Sequence, residues 1–372
     1  MSTPLKDVLL VGFGAVGAVY SLILQRGNLA RVTVIARSNY DIVNKQGINF
    51  ISAKYGNIEG WKPYRVLKSV AEAADRPYDY VVVATKAIPE LTRTPEMLAP
   101  LLSAPYTDIY DQPTYVLLQN GLNVEVDLYY SVLALGRGIP KIVSAAVWIG
   151  TNLAAPNVVE HGNFDRVTLG IYRESRTAIM NTPEEQAILD DIGGILSSGG
   201  TEITIVPEIQ RQKFAKNFWN VAFSSYATLT RYTVPALFRP PPSDPRVSYT
   251  PYVSPVTAQA IEQYTVPALR AVMQELIFLA RALGYPDDKD GIPSLLPDLV
   301  IERTRAIHVQ PNSSHKPSMA LDAERGQPLE VEVILGEVVR MARDVGIDVP
   351  RIEIMYGLLL VVQNQILGQR LA

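Results

Sequence analysis

Two patterns in this chain have residue types and spacing suited to chemistry. Gly12-Phe-Gly-Ala-Val-Gly17 has the spacing G-x-G-x-x-G. It follows the apolar run Val8–Val11 and opens a helical stretch through about Gln25, the context in which this spacing holds a dinucleotide. Gly12 allows the tight turn, Gly14 lets the backbone approach a pyrophosphate, and Gly17 lets helix and strand pack closely. With Phe13, Ala15 and Val16 between them, these are the expected cofactor-binding residues. The helix N-terminus offers its N–H groups and a partial positive charge to the phosphates. The next apolar run, Val32–Ile35, ends in Ala36-Arg-Ser38 with no acid to accept from ribose hydroxyls. Arg37 is a forked donor suited to a 2′-phosphate, and Ser38 can add a hydrogen bond, so NADP(H) is the expected cofactor. The second pattern is Phe214-Ala-Lys-Asn-Phe-Trp-Asn220. Lys216 and Asn220 stand four apart and share a helix face; Lys213 and Asn217 repeat the spacing on the neighbouring face, so spacing alone does not choose between them.

The elements around these residues point to an α/β fold, an N-terminal Rossmann-type doubly wound sheet followed by a C-terminal all-α domain. Strands are expected at Val8–Val11, Val32–Ile35, Tyr80–Ala84 and Tyr115–Leu118, then at Ile142–Ile149, Asn157–His161, Arg166–Ile171 and Glu202–Val206. Continuous apolar runs separated by helices, such as Glu184–Ser198, predict a parallel sheet covered on both faces. Thr85-Lys86 and Gln119-Asn-Gly121 each follow the end of such a strand, where ligands gather in open α/β sheets. After Pro207 the pattern turns helical, over Ile209–Leu229, Thr265–Leu283, Pro293–Arg303, Leu329–Val345 and Arg351–Leu367. The expected domains are 1–207 and 208–372. Residues 238–255 hold six prolines and are expected to form an extended loop inserted in the helical domain.

Composition narrows the function classes. A length of 372 residues suits two domains, and 48% apolar with 19% charged residues suits a globular chain with a substantial core. A net charge of −3 gives no case for nucleic acid or an anionic membrane surface. The absence of cysteine removes disulfides, thiolate metal sites and a cysteine nucleophile. His161, His308 and His315 lack metal-ligand spacing, so no metal is expected. The first residues carry no secretory signal and Leu358–Val362 is too short to span a bilayer, so the expectation is a soluble cytoplasmic protein.

Taken in order, these motifs resemble the ketopantoate reductase (2-dehydropantoate 2-reductase) family. The resemblance rests on the terminal glycine motif, the arginine after strand two, Thr85-Lys86, Gln119-Asn-Gly121, the aromatic-x-Lys-x-x-x-Asn helix, then Ser318-Met319 and Glu330. It runs over most of the chain. It implies an NADPH-dependent reductase of a 2-oxo acid, with 2-dehydropantoate the first substrate and a paralogue acting on another ketone or imine the alternative. A non-catalytic NADP-binding sensor is the rival from another class. The position of Phe214 favours Lys216 as the matching lysine, which in the family is the general acid. The matching Asn220 binds substrate, Ser318 holds the substrate carboxylate, and Glu330 orients the lysine or binds a hydroxyl, with Glu332 its in-register competitor. Lys86 is placed near cofactor and substrate, and Asn120 near the nicotinamide ribose. The implied partner is a small 2-oxo acid, and a homodimer is left open. Two departures concern the substrate side: Ser224 stands where the family has a second asparagine, and 229–234 offers Arg231 and Tyr232 where a further one is expected.

Overall fold

The structure is a computed structural model that describes residues 4–176, 178–244, 246–313 and 315–371. It divides into two units, Met1–Lys213 and Phe214–Ala372.

The first unit holds ten strands: β1 (Lys6–Val11), β2 (Ala30–Ile35), β3 (Ile48–Ser52), β4 (Gly56–Trp61), β5 (Arg65–Leu67), β6 (Tyr80–Val83), β7 (Thr114–Leu117), β8 (Ile142–Ala155), β9 (Val158–Ile171) and β10 (Glu202–Ile205). They form one sheet in the order β4-β3-β9-β8-β7-β6-β1-β2-β5, with β10 also paired to β9. The run β5-β2-β1-β6-β7-β8 is parallel and doubly wound, with the chain reversing direction across the sheet at β1. Its central strands are Val- and Leu-rich, and every residue of β6 and β7 is buried, as a sheet covered on both faces requires. Helix α1 (Ala15–Arg26) returns from β1 and buries Val19, Tyr20, Leu22, Ile23 and Leu24 in the same core. The helix Pro183–Ser198 starts at a capping box: Thr182 accepts from the Glu185 N–H at 3.2 Å, and Glu185 accepts from the Thr182 N–H at 2.7 Å.

The sheet differs from the sequence expectation in three ways. First, β3, β4 and β5 were not expected: each has half-buried or exposed positions, and β4 carries two glycines, so none is a continuous buried apolar run. Second, the separate strands expected at Asn157–His161 and Arg166–Ile171 are one strand, β9. Third, β9 pairs antiparallel with the long β8, which makes the sheet mixed rather than wholly parallel. Paired along β8, β9 continues past Gly162-Asn163 with a register shift opposite Ile149–Thr151 rather than breaking into two strands.

The second unit is helical, with no strand among its described residues. Its longer helices are Val266–Ala282, Leu296–His308, Glu337–Asp344 and Pro350–Leu371. The helix beginning at Ile209 passes through a π-helical turn, Asn220–Ser224, before continuing as Ser225–Thr230; another π-helical turn spans Glu332–Gly336. The division falls inside this helix rather than at 207/208, because its start is fastened to the first unit. Glu208 caps it by accepting from the N–H groups of Gln210 (3.0 Å) and Arg211 (2.6 Å), and Gln210 Nε2 donates to the Arg173 carbonyl (2.6 Å). Beyond the short helix Pro235–Phe238, the described residues of the proline-rich stretch are irregular and tightly held. Arg239, 2% exposed, donates to the carbonyls of Pro251, Pro311 and Ser313.

Candidate active site

The glycine turn sits at the carboxyl end of β1. Gly12 has φ 103°, a conformation that side chains rarely adopt, and a Cβ there would lie 2.6 Å from the Thr85 nitrogen. A Cβ on Gly17 would lie 1.9 Å from the Gly12 carbonyl oxygen, so the turn closes only with glycine at both positions. Gly14 is different: a Cβ there meets nothing within 4 Å. Space therefore stands open over the middle of the turn, where a phosphate group would approach. The first intrahelical bond of α1 runs from the Ala18 N–H to the Gly14 carbonyl (2.9 Å). The N–H groups of Ala15, Val16 and Gly17 precede it and have no acceptor within the helix. This turn fits a dinucleotide's pyrophosphate. Phe13 is buried beneath it, and its carbonyl is held by a residue the sequence did not single out. Asn39 Nδ2 donates to Phe13 O (3.0 Å) and Pro156 O (3.1 Å), with the side chain buried.

Arg37 and Ser38 lie exposed just past β2. Among the described residues the Arg37 guanidinium forms no ion pair. Because β5 pairs with β2 through Ile35 and Leu67, Lys68 arrives at the same carboxyl edge, 4.7 Å from the Tyr40 ring centroid. Its place at this edge was not legible in the sequence because β5 itself was not expected. Lys86 is exposed beyond β6, and Asn120 is half-buried beyond β7. Gln119 Nε2 donates to Thr85 Oγ1 (3.2 Å), so the two strand ends that carry Lys86 and Asn120 are linked.

The two lysines of the helix at 209–219 have separate fates. Lys213 is 5% exposed and donates to Glu125 at 2.5 Å and to Ser144 Oγ at 3.2 Å, while Ser144 also donates to Glu125. It is consumed by a buried ion pair of the first unit. One turn on, in the second unit, Asn217 is buried too and donates to the Ile334 carbonyl at 2.9 Å, inside the π-helical turn Glu332–Gly336. Such a turn displaces carbonyls from the regular ladder, and Asn217 satisfies one of them. The face bearing Lys216 and Asn220 is half-buried. Trp219, between them in register, shares it.

The remaining expected residues of the helical unit divide similarly. Ser318 is exposed as the first residue of the helix Ser318–Glu324; Pro317 occupies the cap position, so Ser318 is not spent on capping. Glu330 is buried, ahead of the π-helical turn. Glu332 is tied to Arg340 (2.7 Å) and Tyr356 (2.6 Å). Ser224 is 1% exposed, which puts its side chain beneath the surface. Arg231 and Tyr232 are exposed.

Two family models match this chain. Residues 8–174 match the one described as Ketopantoate reductase PanE/ApbA, and residues 253–363 match its C-terminal counterpart. An uncharacterized protein of Saccharomyces cerevisiae is 27% identical, over 97% of this chain and 95% of its own length. The crystal structure of 2-dehydropantoate 2-reductase from Methylococcus capsulatus superposes with a TM-score of 0.71 at 23% identity, covering 97% of each chain. The ternary structure of D-mandelate dehydrogenase with NADH and anilino(oxo)acetate superposes with a TM-score of 0.72 at 17% identity, covering 97% of this chain and 99% of that one.

Proposed function

The chain belongs to the ketopantoate reductase family of oxidoreductases, and on that premise we propose that it reduces a 2-oxo acid to the 2-hydroxy acid with NADPH. The observation that carries this reading is the division of labour on one helix. Lys213 and Asn217 are buried in the fold, while Lys216 and Asn220, one turn apart on the neighbouring face, are half-buried.

In this reading the turn Gly12–Gly17 holds the pyrophosphate against the N–H groups of α1. Arg37, with Ser38 and Lys68 beside it, holds the 2′-phosphate, and Asn120 and Lys86 hold the nicotinamide end. When bound, NADPH supplies a hydride to the carbonyl carbon. Lys216 donates its proton to the carbonyl oxygen, so that the C=O bond becomes C–O–H as the new C–H bond forms. An ammonium suits this step because it also stabilises negative charge growing on that oxygen. Asn220 and Ser318 bind the acid, and Glu330 orients Lys216. Fixing carboxylate and ketone together lowers the entropic barrier.

2-Dehydropantoate is the first compound to try. A paralogue reducing another ketone is the second reading, favoured by Ser224, which lies beneath the surface rather than on it. The test is NADPH and NADH oxidation against a panel of 2-oxo acids that includes 2-dehydropantoate. Turnover of at least one acid, faster with NADPH, is expected; tight NADPH binding with no turnover on any acid would leave a cofactor-binding protein instead. Arg37→Glu is expected to lower the NADPH-over-NADH preference about tenfold or more, since it sets a carboxylate against the 2′-phosphate. An unchanged ratio removes Arg37 from the phosphate site.

A further inference from the structure

Within the helical unit, five rings stand in a chain. Phe238 lies 6.3 Å from Phe223, Phe223 lies 6.1 Å from Trp219 and stacks on it, Trp219 lies 5.7 Å from His315, and His315 lies 6.1 Å from His308. Three of the five are buried: Phe223, Phe238 and His308. Trp219 is half-buried and His315 is exposed. The chain therefore has a buried foundation and one open stretch, Trp219 with His315.

That open stretch lies beside the candidate chemistry. Trp219 is on the same helix face as Lys216 and Asn220. His315 stands three residues before Ser318. The Trp219–His315 contact thus links the lysine-bearing helix with the segment that presents Ser318.

The rings are also held in place. The proline-rich stretch supplies Phe238, the far end of the chain, and Arg239, whose guanidinium fastens the carbonyls of Pro251, Pro311 and Ser313. Arg305 covers the Phe238 ring at 4.7 Å. On the other side Ser313 Oγ and His308 Nδ1 are 2.8 Å apart, which fixes the ring next to His315. Burial lowers the pKa of His308 to about 4, and the packing of the His315 ring between Trp219 and His308 lowers that of His315 although its edge is exposed, so both imidazoles are neutral near pH 7. A neutral imidazole packed on an indole is a flat, weakly polar wall. It presents no charge to attract a carboxylate, and its faces suit another π-system.

Resting on the reductase reading, we infer that Trp219 and His315 are specificity-determining residues forming a wall for the side chain of the 2-oxo acid, and that the substrate class is one with a planar ring borne directly on the ketone carbon. Lys216 and Asn220 engage the oxo-acid end, and the ring of the substrate lies against the wall.

The test compares phenylglyoxylate with 2-dehydropantoate, a compact branched acid, for the wild-type protein, His315→Ala and Trp219→Leu, with melting temperature as the check on folding. The wild type is expected to show a kcat/KM at least tenfold higher for phenylglyoxylate. Each variant is expected to lower the ratio of the two kcat/KM values by roughly tenfold or more, within the range a pocket contact gives, chiefly through KM for the aryl acid. His315→Ala alters an exposed residue and keeps the test informative should Trp219→Leu melt early. A wild-type ratio of one or less, or a ratio unmoved by His315→Ala, overturns the wall while leaving the reductase reading intact. If neither these acids nor any other 2-oxo acid is reduced, the reductase reading falls and the wall falls with it.

Discussion

The glycine turn and the Lys216 face solve the problem of positioning in opposite ways. The turn is made of six consecutive residues and works through its backbone: a positive φ at Gly12, a close approach at Gly17, open space at Gly14. The Lys216 face works through side chains: Trp219 on it meets His315 from a distant segment of the chain, and its neighbour Lys213 looks equivalent until Glu125 and Ser144 are found around it. Backbone sites are specified where they stand. Side-chain sites are specified partly by what the fold does with the alternatives.

The sharpest way to break this contrast is to exchange the fates of the two lysines. Lys216→Ala is expected to cut turnover about 10²- to 10⁴-fold, the usual worth of a positioned proton donor, with NADPH affinity and melting temperature nearly unchanged. Steady-state kinetics with a titration of NADPH fluorescence checks it, and a fully active variant moves the acid elsewhere. Lys213→Met should do the reverse. It strands a buried Glu125, so urea denaturation is expected to show a loss of about 3–5 kcal/mol. A Lys213→Met variant as stable as wild type would mean that the pair contributes nothing to the fold.

Acid should expose the buried foundation of the helical unit. The pKa of His308 is held at about 4 by burial, with His315 and Arg239 adding to it, against an ordinary value of 6.5. The folded state therefore resists a proton that the unfolded chain accepts. Stability is full above about pH 6.5, falls as the pH drops toward 4, and levels off below that. The whole effect is about 3 kcal/mol. His161 in the first unit is shifted in the same direction, so the readout is the difference between wild type and His308→Gln in denaturation from pH 7 to pH 4. Parallel curves for the two proteins would remove His308 as a source of acid sensitivity.

The smallest effect concerns the turn. Gly14→Ala adds a methyl group to open space, so the melting temperature should barely move while the NADPH Kd rises about tenfold, because the pyrophosphate must approach the backbone there. Gly17→Ala is the contrasting case, in which the methyl meets the Gly12 carbonyl and stability falls by about 1–3 kcal/mol or more. If both variants bind NADPH like wild type, the turn is structural only.

Much of this was legible in the sequence, and particular residues show why. The doubly wound strands around β1 are continuous apolar runs, and the helix expected at Glu184–Ser198 is found at Pro183–Ser198. β3, β4 and β5 were not legible, because short half-exposed strands take their form from the strands beside them. Lys68 went unnoticed with β5. Asn39 gave no signal, since its two acceptors, Phe13 and Pro156, are distant in sequence. Trp219 and His315 stand far apart in the sequence, and only folding sets their rings 5.7 Å apart.

The sequence by itself determined the glycine turn, the α/β-then-α order and the two lysine–asparagine pairs, because backbone conformation, helical register and apolar periodicity are demands met by near neighbours. Only the tertiary structure decided which pair is consumed. It also tied Glu332 to Arg340 and Tyr356, and it left Trp219 and His315 as the open end of a buried ring chain. Burial and ion pairing depend on groups that become neighbours only when the chain folds, and a charge's role changes once its partner is beside it in an interior that water does not reach.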